Sequence, residues 1–147
     1  MRLFLLVPAF LFAASSGVEH WTASDLKAYG TKLQPKASDK IRVAAQQLGD
    51  WGSHTAMIGR RTGDGEAELH EGMVDFFVVE SGEATLVVGG TIPNPRTTGP
   101  GEIRGPAVEG GERLPLRTGD IVRIPTKVPH QLLVAKDFLY YVIKVKP

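Results

Sequence analysis

The sequence predicts an all-β domain, either a sandwich or a barrel, preceded by a short helical arm. Three observations indicate this fold class. Short apolar segments alternate with turn residues along most of the chain and show no helical period. All but two of the 17 glycines follow Leu48, so the turn signals are concentrated in that region. The chain has 147 residues, enough for one domain with an arm and too few for two full domains.

The composition excludes several classes of function. The 17 Lys and Arg residues balance 16 Asp and Glu residues, so the charge gives no reason to expect nucleic acid or an anionic membrane as partner. The hydrophobic fraction of 42% is that of an ordinary folded protein. Because the chain has no cysteine, disulfides, a thiolate nucleophile and thiolate-bound zinc or iron–sulfur sites are excluded.

Residues 1–16 have the pattern of a secretory signal peptide. Met1 and Arg2 supply a positive start, residues 3–12 are an unbroken apolar run, and small residues follow at positions 13–17. Such a run is too short to span a bilayer as a mature helix. We therefore expect export to the periplasm or the medium, with no membrane association after cleavage.

Residues 17–49 are predicted to form an N-terminal arm. Thr22 and Asp25 have the spacing of a helix-capping box, and residues 22–33 follow a helical apolar pattern that Pro35 ends. Residues 36–48 fit either a helix or a strand, because their apolar positions suit both periods.

Residues 50–147 are predicted to form the β domain. The predicted strands are residues 54–61, 67–70, 75–80, 84–88, 121–124, 130–134 and 138–145. Turns are expected at residues 63–65 and 81–83. Residues 89–111 contain seven glycines and four prolines, which predicts a long loop, either a lid over a barrel mouth or a passive surface loop.

Two segments of the β domain carry a candidate site. Their marked residues are Glu68, His70, Asp75 and Gly82 in the first segment and Gly119, Pro125 and His130 in the second. The spacings resemble the two motifs of the cupin superfamily, G-x5-H-x-H-x3,4-E-x6-G and G-x5-P-x-G-x2-H-x3-N. The match covers residues 50–145 and extends to small exported cupins of the conserved-barrel type. This resemblance implies a double-stranded β-helix, or jelly-roll, barrel, which in such proteins commonly forms a homodimer.

The chain departs from the cupin motifs at four positions. Glu68 stands where histidine is usual, Asp75 where glutamate is usual, Lys127 where glycine is usual, and Val134 where asparagine is usual. Two of these departures fall on positions that hold the metal in cupins. The ligand set that the resemblance implies therefore has a carboxylate in place of an imidazole at residue 68 and a shorter carboxylate at residue 75.

The resemblance implies one divalent metal ion inside the barrel, held by Glu68, His70, Asp75 and His130. Residues two apart on a strand point to the same face, so Glu68 and His70 are expected to project together. Two imidazoles and two carboxylates suit Fe²⁺, Mn²⁺, Zn²⁺ or Ni²⁺, which the sequence does not distinguish.

Each of these residues also has a structural interpretation. His70 fits a hydrogen-bonded core histidine, His130 a turn residue, and Asp75 a strand-start carboxylate. If Asp64-Gly65 is a two-residue hairpin turn, Glu68 faces Arg61 across the hairpin and forms a salt bridge with it. A three-residue turn places Arg60 there instead.

Three classes of function follow from these alternatives. The favoured one is a metalloenzyme for a small molecule, an oxygenase, decarboxylase, lyase or isomerase, in which Glu68 is a general base when it is not a ligand. The second is a barrel that binds a metal or small ligand without turnover. The third is a metal-free interaction protein in which Glu68 pairs with Arg60 or Arg61.

Overall fold

The computed structural model describes residues 17–35 and 42–147. Within these residues the chain forms one helix and ten strands. They are α1 (Ala23–Lys32), β1 (Val43–Asp50), β2 (His54–Arg61), β3 (Ala67–His70), β4 (Val74–Val88), β5 (Arg96–Gly99), β6 (Glu102–Gly105), β7 (Glu112–Arg117), β8 (Ile121–Ile124), β9 (His130–Leu133) and β10 (Phe138–Val145). The predicted signal peptide, residues 1–16, lies outside the described residues. In the described ranges, no helix is both long and apolar enough to cross a membrane.

Helix α1 begins with the capping box that its sequence predicts. Asp25 N donates to Thr22 Oγ1 at 3.2 Å, and Thr22 N donates to Asp25 Oδ2 at 2.8 Å. Gly30 is buried against Leu139 of β10, where a Cβ atom would approach the leucine Cδ2 to 2.8 Å. The missing side chain therefore lets the helix lie close to the sheet.

The strands form one curled antiparallel sheet, a half-barrel. Their order is β1-β2-β10-β4-β9-β3-β6-β5, and β7 and β8 also pair with β4. Strand β4 joins the two halves of the sheet: residues 74–82 pair with β10, and residues 83–88 pair with β7. The all-β prediction is confirmed, and residues 43–48 adopt the strand rather than the helical alternative. The division of the chain at residue 49 into arm and barrel stays a prediction, although β1 pairs with β2.

Strand β10 shows how alternation divides the sheet into two faces. Phe138, Tyr140 and Val142 are buried in the hydrophobic core, while Ile143 is partly exposed. Because side chains alternate along a strand, Lys144 lies on the same face as the three buried residues. This face lines the inside of the half-barrel.

Two predicted connections within the first four strands are wrong. The expected turn at residues 81–83 does not reverse the chain, because β4 continues through Gly82 with φ +87° and a shift of register against β10. The expected hairpin between β2 and β3 does not form either, since β3 pairs with β6 and β9. Gly65 N instead donates to Leu132 O at 2.8 Å, and Val134 N donates to Asp64 Oδ1 at 2.8 Å. These two hydrogen bonds hold the connection between β2 and β3 against the end of β9.

The long loop predicted at residues 89–111 is in part regular structure. It contains β5 and β6, and Thr91 and Glu109 form an isolated bridge near its ends. Strand β7 follows immediately and was not predicted. Its Pro115 and charged residues obscure the strand pattern, which β4 nevertheless supports by pairing with it.

Candidate metal centre

The half-barrel encloses a cavity of about 430 Å³ that opens to solvent on one side. Met57, Phe77, Leu132 and Val142 form its apolar wall. The remaining lining residues include several charged side chains, which is unusual for the inside of a small barrel and indicates a site.

Strand β3 and its two neighbours place several ionisable side chains opposite one another. Glu68 faces Arg104 of β6 and His130 of β9. Two residues along the strand, His70 faces Glu102 of β6. Glu68 and His70 thus share one face of β3, as the spacing predicts.

The ring of His70 is oriented by a carboxylate. His70 Nδ1 lies 2.8 Å from Glu102 Oε2, and because an ionised carboxylate only accepts hydrogen bonds, Nδ1–H is the donor. Nε2 therefore points toward Glu68, Asp75 and Lys144. Burial opposes a positive charge on His70, but the carboxylates of Asp75 and Glu68 outweigh it and raise the pKa of His70 to about 9.

His130 is oriented in the same way by a backbone carbonyl. Its Nδ1–H donates to Val128 O at 3.0 Å, and burial lowers the pKa of the ring, which favours the neutral form with a lone pair on Nε2. Within the described residues, this Nε2 is buried without any hydrogen-bond partner. A buried acceptor in that condition costs about 1–3 kcal/mol, so its position indicates a function.

Glu68 contacts cations with one oxygen and the two histidines with the other. Oε1 pairs with Arg104 Nη1 and lies 3.6 Å from Arg61 Nη2. Oε2 lies 3.5 Å from His70 Nε2 and 3.8 Å from His130 Nε2. Burial raises the pKa of Glu68, but His70, Arg104, His130 and Arg61 together bring it well below its usual range. Glu68 therefore remains an anion, which suits a ligand better than a general base.

Asp75 completes the group of four predicted residues but already has a partner. Its Oδ2 lies 3.3 Å from His70 Nε2 and 3.8 Å from His130 Nε2. Lys144 Nζ donates to both oxygens of Asp75, at 2.8 and 2.9 Å, and also lies 2.9 Å from His70 Nε2. Burial raises the pKa of Asp75, while His70 and Lys144 lower it by a larger amount.

The donor atoms fit a divalent metal ion. Glu68, His70 and His130 each offer one ligand atom within 4.8 Å of the other two. Ligands about 2.1 Å from a tetrahedral ion are about 3.4 Å apart, close to the measured 3.5 and 3.8 Å from Glu68 Oε2 to the histidines. An Nδ1–H bonded to a carboxylate or carbonyl is also typical of metal-binding histidines. Asp75 lies beside this group, paired with Lys144.

Of the two predicted salt-bridge partners of Glu68, the structure shows Arg61 near it and Arg60 elsewhere. Arg61 reaches Glu68 across the cavity and not across a hairpin. Arg60 points elsewhere and pairs with Asp137, with Nε 2.8 Å from Oδ1. The principal partner, Arg104, was not predicted because it lies in the segment expected to be a loop.

Three residues of the site were missed in the sequence: Glu102, Arg104 and Lys144. Lys144 carries a usable signal, because alternation from Phe138 places it on the inward face of β10. Glu102 and Arg104 carry none, since a short strand among glycines and prolines has no detectable period.

Comparison with known proteins supports the fold. No protein-family model and no curated protein matches the sequence. An uncharacterized conserved protein with a double-stranded β-helix domain from Klebsiella pneumoniae matches with a TM-score of 0.58 and 14% identity, over 82% of this chain and 86% of that one.

Two further solved structures carry the cupin name. A cupin 2 conserved barrel domain protein from Salinispora arenicola has a TM-score of 0.51 and 18% identity, covering 79% of this chain and 82% of its own. A cupin superfamily protein from Desulfitobacterium hafniense has a TM-score of 0.52 and 13% identity, covering 76% and 84%. The chain therefore has the cupin barrel fold, as the motif resemblance implies. At these identities the likeness bears on the fold and leaves the chemistry to the site itself.

Proposed function

We propose that this cupin-type barrel binds one divalent metal ion through His70, His130 and Glu68 and acts on a small oxygenated molecule in the cavity. The observation that carries the proposal is the convergence of the two Nε2 atoms, each on a ring whose Nδ1–H is already anchored. Two histidines and one carboxylate are the ligand set of many non-haem iron sites, and the set also suits Mn²⁺, Zn²⁺ and Ni²⁺.

The cavity supports a small-molecule substrate. Its volume of about 430 Å³ lies in the usual range for ligand pockets, and Met57, Phe77 and Leu132 exclude water from one side. The buried Tyr140 hydroxyl accepts a hydrogen bond from Arg61 Nε at 2.9 Å, so both polar side chains are held in place beside the site.

A bound divalent ion would supply Lewis-acid polarisation of a chelating oxygen group or a site for O₂. The protein's own groups orient the ligands: Glu102 holds His70, Val128 O holds His130, and Arg104 holds Glu68. Three protein ligands leave room in the coordination sphere for substrate. Oxygenase, decarboxylase, lyase and isomerase activities are all compatible with this arrangement.

The sequence of residues 1–16 supports the further proposal that the protein is exported, and the cupin resemblance supports a homodimer. N-terminal sequencing of protein recovered from the periplasm or medium tests the first, with a start near Gly17 expected. Sedimentation of the purified protein tests the second, and a monomer at micromolar concentration would exclude a stable dimer.

The metal proposal is tested by binding and content together. We would express the full chain with residues 1–16 in place, purify it without a chelating resin, and measure bound metals by mass spectrometry. Titration calorimetry with Fe²⁺ under nitrogen, Mn²⁺, Zn²⁺ and Ni²⁺ then gives affinity and stoichiometry. We expect one ion per chain in the wild type and none in His70→Ala or His130→Ala.

His54→Ala is the matched control, because His54 is exposed, stacks on Trp51 and lies outside the cavity lining. It should bind as the wild type does. Circular dichroism verifies that each variant folds. If no metal binds to the wild type, the metalloenzyme proposal fails, and the ion pairs of Glu68 and Asp75 then mark the barrel as a metal-free binding scaffold.

A further inference from the structure

Lys144 is the one amine in contact with the candidate ligands among the described residues. It enters the cavity from β10, directly opposite Asp75 of β4. Its Nζ contacts Nε2 of His70, which belongs to the proposed ligand set, and both carboxylate oxygens of the neighbouring Asp75, all between 2.8 and 2.9 Å. A flexible surface lysine does not make such a set of contacts, and Lys144 is only 20% exposed in its side chain.

The contact with His70 excludes metal coordination at that ring nitrogen. An ion bound there would have to take the place of the Lys144 Nζ, which lies 2.9 Å from Nε2, and a metal-bound Nε2 has no lone pair left for the ammonium. The ammonium also neutralises Asp75 and would repel a second cation placed beside it. A metal ion can bind His70 only after Lys144 leaves its contact with the ring.

We infer that Lys144 is a tethered cation that competes with the divalent metal for His70 and Asp75 and so sets the metal affinity of the site. This inference rests on the proposed function and deepens it. Lys144 withholds Asp75 from the metal, which leaves His70, His130 and Glu68 as the working set. Without the ammonium, Asp75 becomes a fourth ligand.

The charges around Lys144 support this assignment. The carboxylates near the two histidines are Glu68, Asp75 and Glu102, and the cations are Arg61, Arg104 and Lys144. The two arginines are held by Glu68 from the side of β2 and β6, so Lys144 is the cation placed to exchange with an incoming ion.

The test compares metal affinities of the full chain at one fixed pH, by calorimetry with Zn²⁺ and Ni²⁺ after removal of metals with a chelator. Lys144→Met keeps the length of the side chain and removes the charge. We expect it to bind about 10- to 100-fold more tightly than the wild type, because it removes a competitor and frees a carboxylate. Lys144→Gln keeps a donor to Asp75 and should also bind more tightly.

Two variants make the assignment specific. Lys144→Arg retains the positive charge and should not gain affinity, and Lys146→Met removes an exposed lysine two residues away and should match the wild type. In the Lys144→Met background, Asp75→Asn should reverse most of the gain, since Asp75 is expected to coordinate the ion there. Thermal unfolding in chelator shows which variants are folded.

The outcomes separate this inference from the proposed function. Tighter binding by Lys144→Met and Lys144→Gln, reversed by Asp75→Asn, supports the inference. If the wild type binds one ion as tightly as both lysine variants do, the metal proposal stands and the competition is disproved. If neither the wild type nor the folded lysine variants bind metal, both are overturned.

Discussion

Glu102 Oε2 lies 2.8 Å from His70 Nδ1, and the two residues face each other directly across β3 and β6. The carboxylate holds Nδ1–H toward β6, so that Nε2 faces Glu68, Asp75 and Lys144. It also fixes the angle of the ring, because His70 is almost fully buried and cannot be reoriented by solvent. The strand that supplies Glu102 is therefore part of the site.

Replacing Glu102 with alanine should weaken metal binding without removing a ligand. Loss of a carboxylate behind a metal-binding histidine typically costs about 10- to 100-fold in affinity, because the ring loses orientation and basicity. Glu102→Gln, whose amide oxygen still accepts from Nδ1–H, should lose less. Calorimetry with Zn²⁺ measures both, and Glu112→Ala on the exposed side of β7 serves as the control. Equal affinity of Glu102→Ala and the control would show that Glu102 is structural only.

Glu68 should be coupled in stability more strongly to Arg104 than to Arg61. Arg104 is its cross-strand neighbour and its closest cation, whereas Arg61 Nη2 is 3.6 Å away. A double-mutant cycle with Gln substitutions, read from urea unfolding of the metal-free protein, should give a coupling energy on the order of 1 kcal/mol for Glu68–Arg104. A larger coupling with Arg61 would contradict the observed geometry and favour the pairing across the barrel.

Metal-free protein should lose stability as the pH rises from about 6.5 to 9. The pKa of His70 is raised from 6.5 to about 9 in the folded state, so between these values the folded chain holds a proton that the unfolded chain has released. The contribution of His70 is fully present below pH 6.5 and is lost as the pH passes the folded-state value. Titration of His130 affects stability only below pH 6.5, because burial lowers the pKa of His130 in the folded state.

The pH effect is measured by urea unfolding in chelator at a series of pH values. The groups that face His70 are Glu68, Asp75, Glu102, His130 and Lys144. His70→Asn should flatten the decline between pH 6.5 and 9 while lowering stability overall. If the variant keeps the slope of the wild type, another group is responsible for it.

The sequence predicts the two histidines and the two carboxylates because each belongs to a local pattern. His70 and Glu68 are two apart on a strand, and His130 follows Pro129 at a strand start, so alternation and motif spacing suffice to mark them. Their convergence in space depends on β3 pairing with β9, which brings Glu68 beside His130 from a distant part of the sequence. No local period encodes that pairing, and the expected β2–β3 hairpin shows the error that follows when nearest neighbours are assumed to pair.

The residues that support the site could not be predicted for the same reason: their positions depend on strand pairings that no local pattern encodes. Glu102 and Arg104 belong to a four-residue strand within a segment rich in glycine and proline, and its pairing with β3 and β5 makes it a strand. Lys144 was detectable, because three buried residues at alternate positions precede it on β10. Its role in the site was not detectable, because that role depends on the residue opposite Lys144 in the sheet, which is Asp75.

Gly82 explains why β4 continues where a turn was expected, and it should not tolerate a side chain. Its φ is +87°, a region that L-residues rarely adopt, and a Cβ atom there would collide with the backbone oxygen of Asp137. Gly82→Ala should therefore lower the free energy of unfolding by about 2–4 kcal/mol, from backbone strain together with displacement of β10. Gly72→Ala is the matched control, because its Cβ would meet no atom within 4 Å and its φ is not positive. Since β4 carries Asp75 and β10 carries Lys144, the displacement of β10 should also disturb the contact between these two residues. An equal loss of stability in Gly82→Ala and Gly72→Ala would show that residue 82 is not specifically constrained.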